Sequence, residues 1–175
     1  EPEILNVTIA ASSPTYPVPQ PVTAVWTGEE IPVVLPGEGA FEYLVKGESE
    51  WSTAVPKRSE SGTYVISYSL DGGEANIITS VIERATARVL SIPSAASGLV
   101  YTGSPIALFS TPGSADTAME YSLGGDNWSE EIPAVTDAGT YTVLFRAAGY
   151  PDEDYPNQYP SASQALTVTV EKGVP

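Results

Sequence analysis

One long segment of this sequence occurs twice. Residues 42–66 read EYLVKGESEWSTAVPKRSESGTYVI, and residues 120–144 read EYSLGGDNWSEEIPAVTDAGTYTVL. The tryptophans of the two segments, Trp51 and Trp128, lie 77 positions apart. A repeat of this length predicts two tandem copies of one small domain.

The similarity continues upstream, where TAVWTGEEIPVV at residues 23–34 matches GLVYTGSPIALF at residues 98–109. We therefore divide the chain into a first repeat, residues 1–84, and a second repeat, residues 85–175. The junction ERATARV at residues 83–89 has no glycine or proline, in contrast to flexible linkers. This junction predicts two repeats that follow each other end to end. Because VTVEKG at residues 168–173 ends the second repeat in the same style as VIERA at residues 81–85 ends the first, we expect a piece of a longer protein with neighbouring repeats.

The distribution of turn residues predicts an all-β chain. The 16 prolines and 15 glycines are spread between short β-branched runs, and no window keeps a helical period. About seven short strands per repeat are typical of a β-sandwich. The predicted strands are Ile4–Ile9, Thr23–Trp26, Ile31–Leu35, Phe41–Val45, Thr63–Leu70, Asn76–Glu83, Thr86–Leu90, Leu99–Tyr101, Ile106–Phe109, Met119–Leu123, Thr140–Ala147 and Leu166–Glu171.

Charge and composition exclude several classes of function. The chain has 22 acidic and 7 basic residues, a net charge of −15, so it lacks the basic face that nucleic acid requires. No apolar run is long enough for membrane insertion. Without histidine or cysteine, serine–histidine and cysteine–histidine catalysis are excluded, and no motif marks the carboxylate pair of a glycosidase. We expect no catalysis and no cofactor in this chain.

A short motif in each repeat surrounds a tyrosine. Residues 137–143 read DAGTYTV, and residues 60–64 read ESGTY. This D-x-G-x-Y segment resembles the immunoglobulin-like domains, in which the tyrosine forms a corner and its hydroxyl returns to an upstream backbone group. We expect the glycine to supply a backbone shape that other residues resist. The structural residues that this resemblance implies are Tyr64, Tyr141, Gly62 and Gly139.

The longer pattern is more specific. Y-T-G-x-P, followed by E-Y-S-L-x-G-x-x-W-S and D-A-G-T-Y-T-V, is similar to the bacterial immunoglobulin-like repeats of large cell-surface and secreted proteins. It covers nearly all of residues 98–172 and, less faithfully, residues 23–84. The resemblance implies two tandem immunoglobulin-like β-sandwiches outside the cell, on a bacterial surface. It implies no catalytic or ligand-binding residue.

The two repeats differ mainly in one loop. The first repeat joins its last two strands through Leu70–Ala75, where Asp71-Gly72-Gly73 predicts a hairpin turn. The second repeat uses GYPDEDYPNQYPSASQ at residues 149–164 and is 11 residues longer here. Aromatic faces, amides and a proline-stiffened backbone suit a glycan or a host protein. The alternative is that the tyrosines pack on their own domain and anchor the loop. The candidate ligand-binding residues are Tyr150, Tyr155, Tyr159, Asn157 and Gln158.

The same loop contains an acidic triplet, Asp152, Glu153 and Asp154, that offers hard oxygen ligands for calcium, with help from Asp126 or Asn157. The EF-hand pattern is absent, and a solvated acidic turn is the commoner explanation of such a triplet.

The two recurring tryptophans, Trp51 and Trp128, can in principle be sugar platforms. Since both occupy one position of the repeat, we expect core or half-buried packing instead. The sequence as a whole predicts a spacer or adhesin stalk, with a glycan- or protein-binding module that uses residues 149–164 as the alternative.

Overall fold

The computed structural model of the protein describes residues 17–173, which form strands and turns without a helix. The all-β class predicted from the sequence is therefore confirmed. The predicted opening strand Ile4–Ile9 lies outside the described residues. Within residues 17–173 there is also no helix of the length and apolarity that crossing a membrane requires.

The described chain divides into two compact units between Glu83 and Arg84, one residue before the boundary drawn from the repeat. We call residues 17–83 unit 1 and residues 84–173 unit 2. Each is described separately below.

Unit 1 is built around a four-stranded sheet in the order β2-β8-β7-β5. Strand β2 lies parallel to β8, and the other neighbours are antiparallel. Two short antiparallel pairs, β1 with β4 and β3 with β6, complete the unit. The strands are β1 (Gln20–Pro21), β2 (Thr23–Val25), β3 (Ile31–Pro32), β4 (Val34–Leu35), β5 (Phe41–Val45), β6 (Lys57–Arg58), β7 (Gly62–Leu70) and β8 (Asn76–Glu83).

Unit 2 repeats this arrangement with the order β12-β20-β18-β16, in which β12 lies parallel to β20. Short pairs surround it, including β13 with β17 and a parallel pair of β9 with β19. The strands are β9 (Ala85–Thr86), β10 (Val89–Ser91), β11 (Ser94–Ala95), β12 (Leu99–Val100), β13 (Ile106–Ala107), β14 (Phe109–Thr111), β15 (Ser114–Ala115), β16 (Met119–Ser122), β17 (Ala134–Val135), β18 (Gly139–Ala147), β19 (Gln158–Tyr159) and β20 (Gln164–Glu171).

The cores follow from alternation along the central strands. In β5 every second side chain is buried, and in β18 buried and half-exposed positions alternate from Val143 to Ala147. Unit 1 buries Val33, Val34, Phe41, Tyr43, Val45, Ile66 and Ile82 in one cluster. Unit 2 buries Leu108, Phe109, Met119, Tyr121, Val135, Val143, Phe145, Val168 and Val170 in another.

The predicted hairpin across Asp71-Gly72-Gly73 is present between β7 and β8. Asp71 and Gly72 both have positive φ, 50° and 69°, which is the requirement of the tight turn that matches strand twist. Gly73 N donates to Leu70 O at 2.9 Å and closes the turn.

Three predicted strands are each divided in two, because the two halves pair with different partners. Ile31–Leu35 becomes β3, which pairs with β6, and β4, which pairs with β1. Ile106–Phe109 is divided in the same way at the buried Leu108. The predicted Thr86–Leu90 falls into β9 and β10, which pair with β19 and β15.

Candidate functional site

The long loop of unit 2, residues 149–164, is tied to its own unit at its base. An added Cβ at Gly149 would lie 2.4 Å from the backbone nitrogen of Pro160, so only glycine permits this approach of the two ends of the loop. Ala147 N donates to Ser161 Oγ at 2.9 Å, and Ser161 N donates to Ala147 O at 3.1 Å. The loop therefore leaves and rejoins the sheet through fixed contacts.

The middle of the loop pairs with the first strand of unit 2. Ala85 N donates to Asn157 O at 3.1 Å, and Ala87 N donates to Tyr159 O at 2.8 Å. These bonds join β19 to β9 in parallel. Gln158 lies half-buried in β19, and its carbonyl accepts from Tyr150 N at 2.6 Å.

Two of the three loop tyrosines hold a guanidinium group. The Cζ atom of Arg84 lies 3.8 Å from the ring centroid of Tyr150 and 5.7 Å from that of Tyr159. The two rings meet edge to face, with centroids 6.3 Å apart. Arg84 Nε also donates to Pro156 O at 2.7 Å. We call Arg84, Tyr150 and Tyr159 the arginine bracket; a cation on an aromatic face is attracted by the ring quadrupole.

The third tyrosine, Tyr155, is half-buried, and within residues 17–173 its ring contacts neither the other two tyrosines nor Arg84. Burial raises the pKa of its hydroxyl, and the carboxylates of Glu130, Asp154, Asp152 and Glu120 raise it further. The structure therefore brings Tyr150 and Tyr159 together at Arg84, and Tyr155 is not part of that contact.

The acidic triplet forms a turn. Asp152 Oδ1 accepts a hydrogen bond from Asp154 N at 2.9 Å, and Glu153 is exposed. Nowhere between residues 17 and 173 do three acidic side chains form a group that could hold a metal ion, and this includes Asp126. The geometry thus gives the calcium candidate no support.

The tyrosine motifs make matching contacts in the two units. Tyr64 donates its hydroxyl to Glu60 O at 2.7 Å, and Tyr141 donates to Asp137 O at 2.8 Å. Gly62 has a φ of 156°, but Gly139 has no positive φ, and a Cβ there would meet the Tyr141 hydroxyl at an ordinary 3.6 Å. The prediction of a special backbone shape is therefore wrong for Gly139.

The two tryptophans differ in their surroundings. Trp128 is half-buried, and the Arg146 guanidinium carbon lies 4.1 Å from its ring centroid. Trp51 is 41% exposed, so the prediction of core or half-buried packing is wrong for this ring. The strand register explains the difference. Ser69 in β7 occupies the position that Arg146 has in β18, and a serine side chain is too short to cover an indole ring as the arginine does.

A surface groove in unit 2, of about 390 Å³, lies beside β16. Tyr121, Asn127 and Ile132 are among its lining residues, and Glu131 is the one acidic side chain there. The groove therefore does not offer the pair of carboxylates that glycoside hydrolysis uses.

Sequence reasoning missed the two arginines that organise these surfaces, Arg84 and Arg146. In the sequence, Arg84 is one residue of the junction ERATARV, and no motif marks it. The one sequence signal for the two arginines is that basic residues are scarce. The chain has only seven, and two of these, Arg84 and Arg146, stack on aromatic rings of unit 2.

No protein-family model matches the chain, and neither a curated protein nor a solved structure is similar enough to count as a match. The contacts described above are therefore the basis on which a function can be proposed.

Proposed function

We propose that this chain is a non-catalytic pair of immunoglobulin-like β-sandwich repeats, and that it serves as a spacer or adhesin stalk in an exported bacterial surface protein. Its partners are the neighbouring repeats of the parent chain. The observation that carries this proposal is that both units use one sheet order, with the last strand between a parallel and an antiparallel neighbour.

The tyrosine contacts support the immunoglobulin-like assignment. In these domains a tyrosine at the start of a central strand donates its hydroxyl to the backbone a few residues upstream. Tyr64 and Tyr141 do so over four positions at the start of β7 and β18. The buried residues of β4 and β5 form one cluster, as expected where short strands cover one face of a sheet.

The contacts of the long loop favour a structural role over recognition. A glycan stacks on a free aromatic face, but the Arg84 guanidinium covers one face of Tyr150. The backbone of Asn157 and Tyr159 bonds to Ala85 and Ala87. The loop therefore stabilises the unit that carries it, which fits a spacer better than a binding module.

A glycan array distinguishes the two functions. We would screen the native chain beside Tyr155→Ala and Tyr159→Ala, which keep the length of the loop. A spacer predicts no glycan signal above background for any of the three proteins. A signal from the native chain that is lost in the two folded variants would contradict the spacer and make residues 149–164 a binding site.

A further inference from the structure

Unit 2 contains a three-residue stack on the outer face of its sheet. The Arg146 guanidinium lies over the Trp128 ring at 4.1 Å, and Arg146 Nε donates to Glu120 Oε2 at 2.8 Å. The side chains of Arg146 and Glu120 are only 24% and 13% exposed. One guanidinium thus stacks on an aromatic ring and donates to a carboxylate, and arginine is the side chain that does both best.

The same positions exist in unit 1, and the strand register defines them. Glu120 is paired with Arg146 across β16 and β18, as Glu42 is paired with Ser69 across β5 and β7. The residue after each glutamate, Tyr121 or Tyr43, forms a bridge to the serine that follows the tryptophan. Glu42 and Trp51 are therefore the counterparts of Glu120 and Trp128.

Unit 1 has no arginine of its own at this place. Trp51 is 41% exposed, and Glu42 is half-buried. Within residues 17–83, the arginine Arg58 is bound to Glu48 at 2.6 Å, and no lysine or arginine pairs with Glu42 or stacks on Trp51. Trp51 and Glu42 therefore lack, among these residues, the cation that their counterparts Trp128 and Glu120 share.

We propose that Trp51 and Glu42 form a docking site for an arginine side chain in a basic segment of a partner protein. Charge complementarity supports this occupant, because a net charge of −15 attracts a basic segment and disfavours an acidic one. Arginine is preferred to lysine, since its planar group stacks on an aromatic ring while its edge donates to a carboxylate. The site is independent of the spacer function and of the long loop.

The experiment follows the three indole N–H signals in a ¹⁵N–¹H spectrum as a tetra-arginine amide is added at low salt. Trp26 and Trp128 are internal controls, because Trp26 Nε1 already donates to Ser59 O and Trp128 already carries Arg146. We expect the Trp51 signal to move saturably while the other two stay. A neutral glycine–serine peptide is expected to move none of them.

The charge of Glu42 is tested with a matched pair of variants. Glu42→Gln should weaken the apparent affinity about threefold, the effect of one exposed ion pair. Glu30→Gln removes the same charge from the exposed turn before β3 and should leave the affinity unchanged. If the two variants behave alike, or if Trp51 and Trp128 respond equally to the peptide, the attraction is diffuse and the proposal is wrong.

A gain of binding gives a second test that does not depend on unit 1. Arg146→Ser places in unit 2 the residue that unit 1 has, and it should make the Trp128 signal respond to the peptide as the Trp51 signal does. Thermal unfolding of this variant shows that the unit is still folded. A folded Arg146→Ser protein whose Trp128 signal stays unmoved would overturn the proposed equivalence of the two sites.

Discussion

Arg84 shows how much one side chain can organise in an acidic chain. Its guanidinium contacts Tyr150 and Tyr159 and donates to Pro156 O, and no carboxylate among residues 17–173 pairs with it. Aromatic rings and a carbonyl oxygen thus replace the ion pair that the other described arginines form. The bracket thus attaches the long loop to Arg84, the first residue of unit 2.

Removal of this guanidinium should destabilise unit 2. Arg84→Met keeps the aliphatic stem and loses the cation–π contact and one hydrogen bond, so we expect the free energy of unfolding to fall by about 1–2 kcal/mol. Urea unfolding followed at the Trp128 indole, the one tryptophan of unit 2, measures this. Arg88→Met is the control, since the exposed Arg88–Asp116 pair contributes at most about 1 kcal/mol. Equal losses in the two variants would count against the bracket.

Tyr155 gives the chain a dependence on alkaline pH. Burial, and then the nearby carboxylates, raise its pKa in the folded state above the ordinary 10.0. The unfolded chain therefore ionises first, and the stability that the neutral hydroxyl contributes is lost as the pH rises through 10.0 towards the folded pKa. Melting temperatures measured from about pH 8 to about pH 11 should fall less in Tyr155→Phe than in the native chain. An identical fall in both proteins would mean that the hydroxyl is not perturbed.

At the scale of elements, the base of the long loop depends on a close approach of backbone segments. A Cβ at Gly149 would meet Pro160 N at 2.4 Å and Tyr159 C at 2.5 Å, and neither backbone atom can move away without shifting the loop. Gly149→Ala should therefore cost about 2 kcal/mol or more, as overpacking does. Gly139→Ala is the matched control, because a Cβ at Gly139 would lie at an ordinary van der Waals distance from its nearest neighbours, 3.6 Å or more. Similar melting temperatures for the two variants would contradict this account of the loop.

The pairing of β19 with β9 can be tested directly by amide hydrogen exchange. A chain in which residues 150–160 are shortened to the turn of the first repeat lacks the acceptors of Ala85 N and Ala87 N, so these two amides should lose their protection. The Ala148 amide, which donates to Ala118 O, should keep its protection and show that the sheet is intact. Protection of Ala85 and Ala87 that survives the deletion would show that the loop does not hold the first strand.

At the scale of the molecule, local patterns predicted much of the fold. The Asp71-Gly72-Gly73 turn and the alternation in β5 and β18 depend on near neighbours, so sequence alone located them. The division of Ile31–Leu35 into two strands was not predicted, because each half depends on a different distant partner.

The candidate surfaces were harder to predict for the same reason. In the arginine bracket, Arg84 contacts Tyr150 and Tyr159, which lie far from it in the sequence of unit 2. No local sequence pattern indicates such a contact. The exposure of Trp51 depends on Ser69, a residue on another strand that only the register identifies. A residue that recurs in both repeats therefore has the same place in the fold in each, but the side chains that contact it can differ.

As the spacer that we propose, the chain would hold another part of its parent protein at a distance from the cell. The direct measurement places the 175-residue chain between a membrane anchor and a fluorescent tag and records the height of the tag above the membrane. A glycine–serine linker of the same length, which behaves as a random coil, is the control. We expect a raised tag with a narrower distribution of heights than the linker gives. A distribution as broad as that of the linker, or a tag no higher than on the anchor alone, would contradict it.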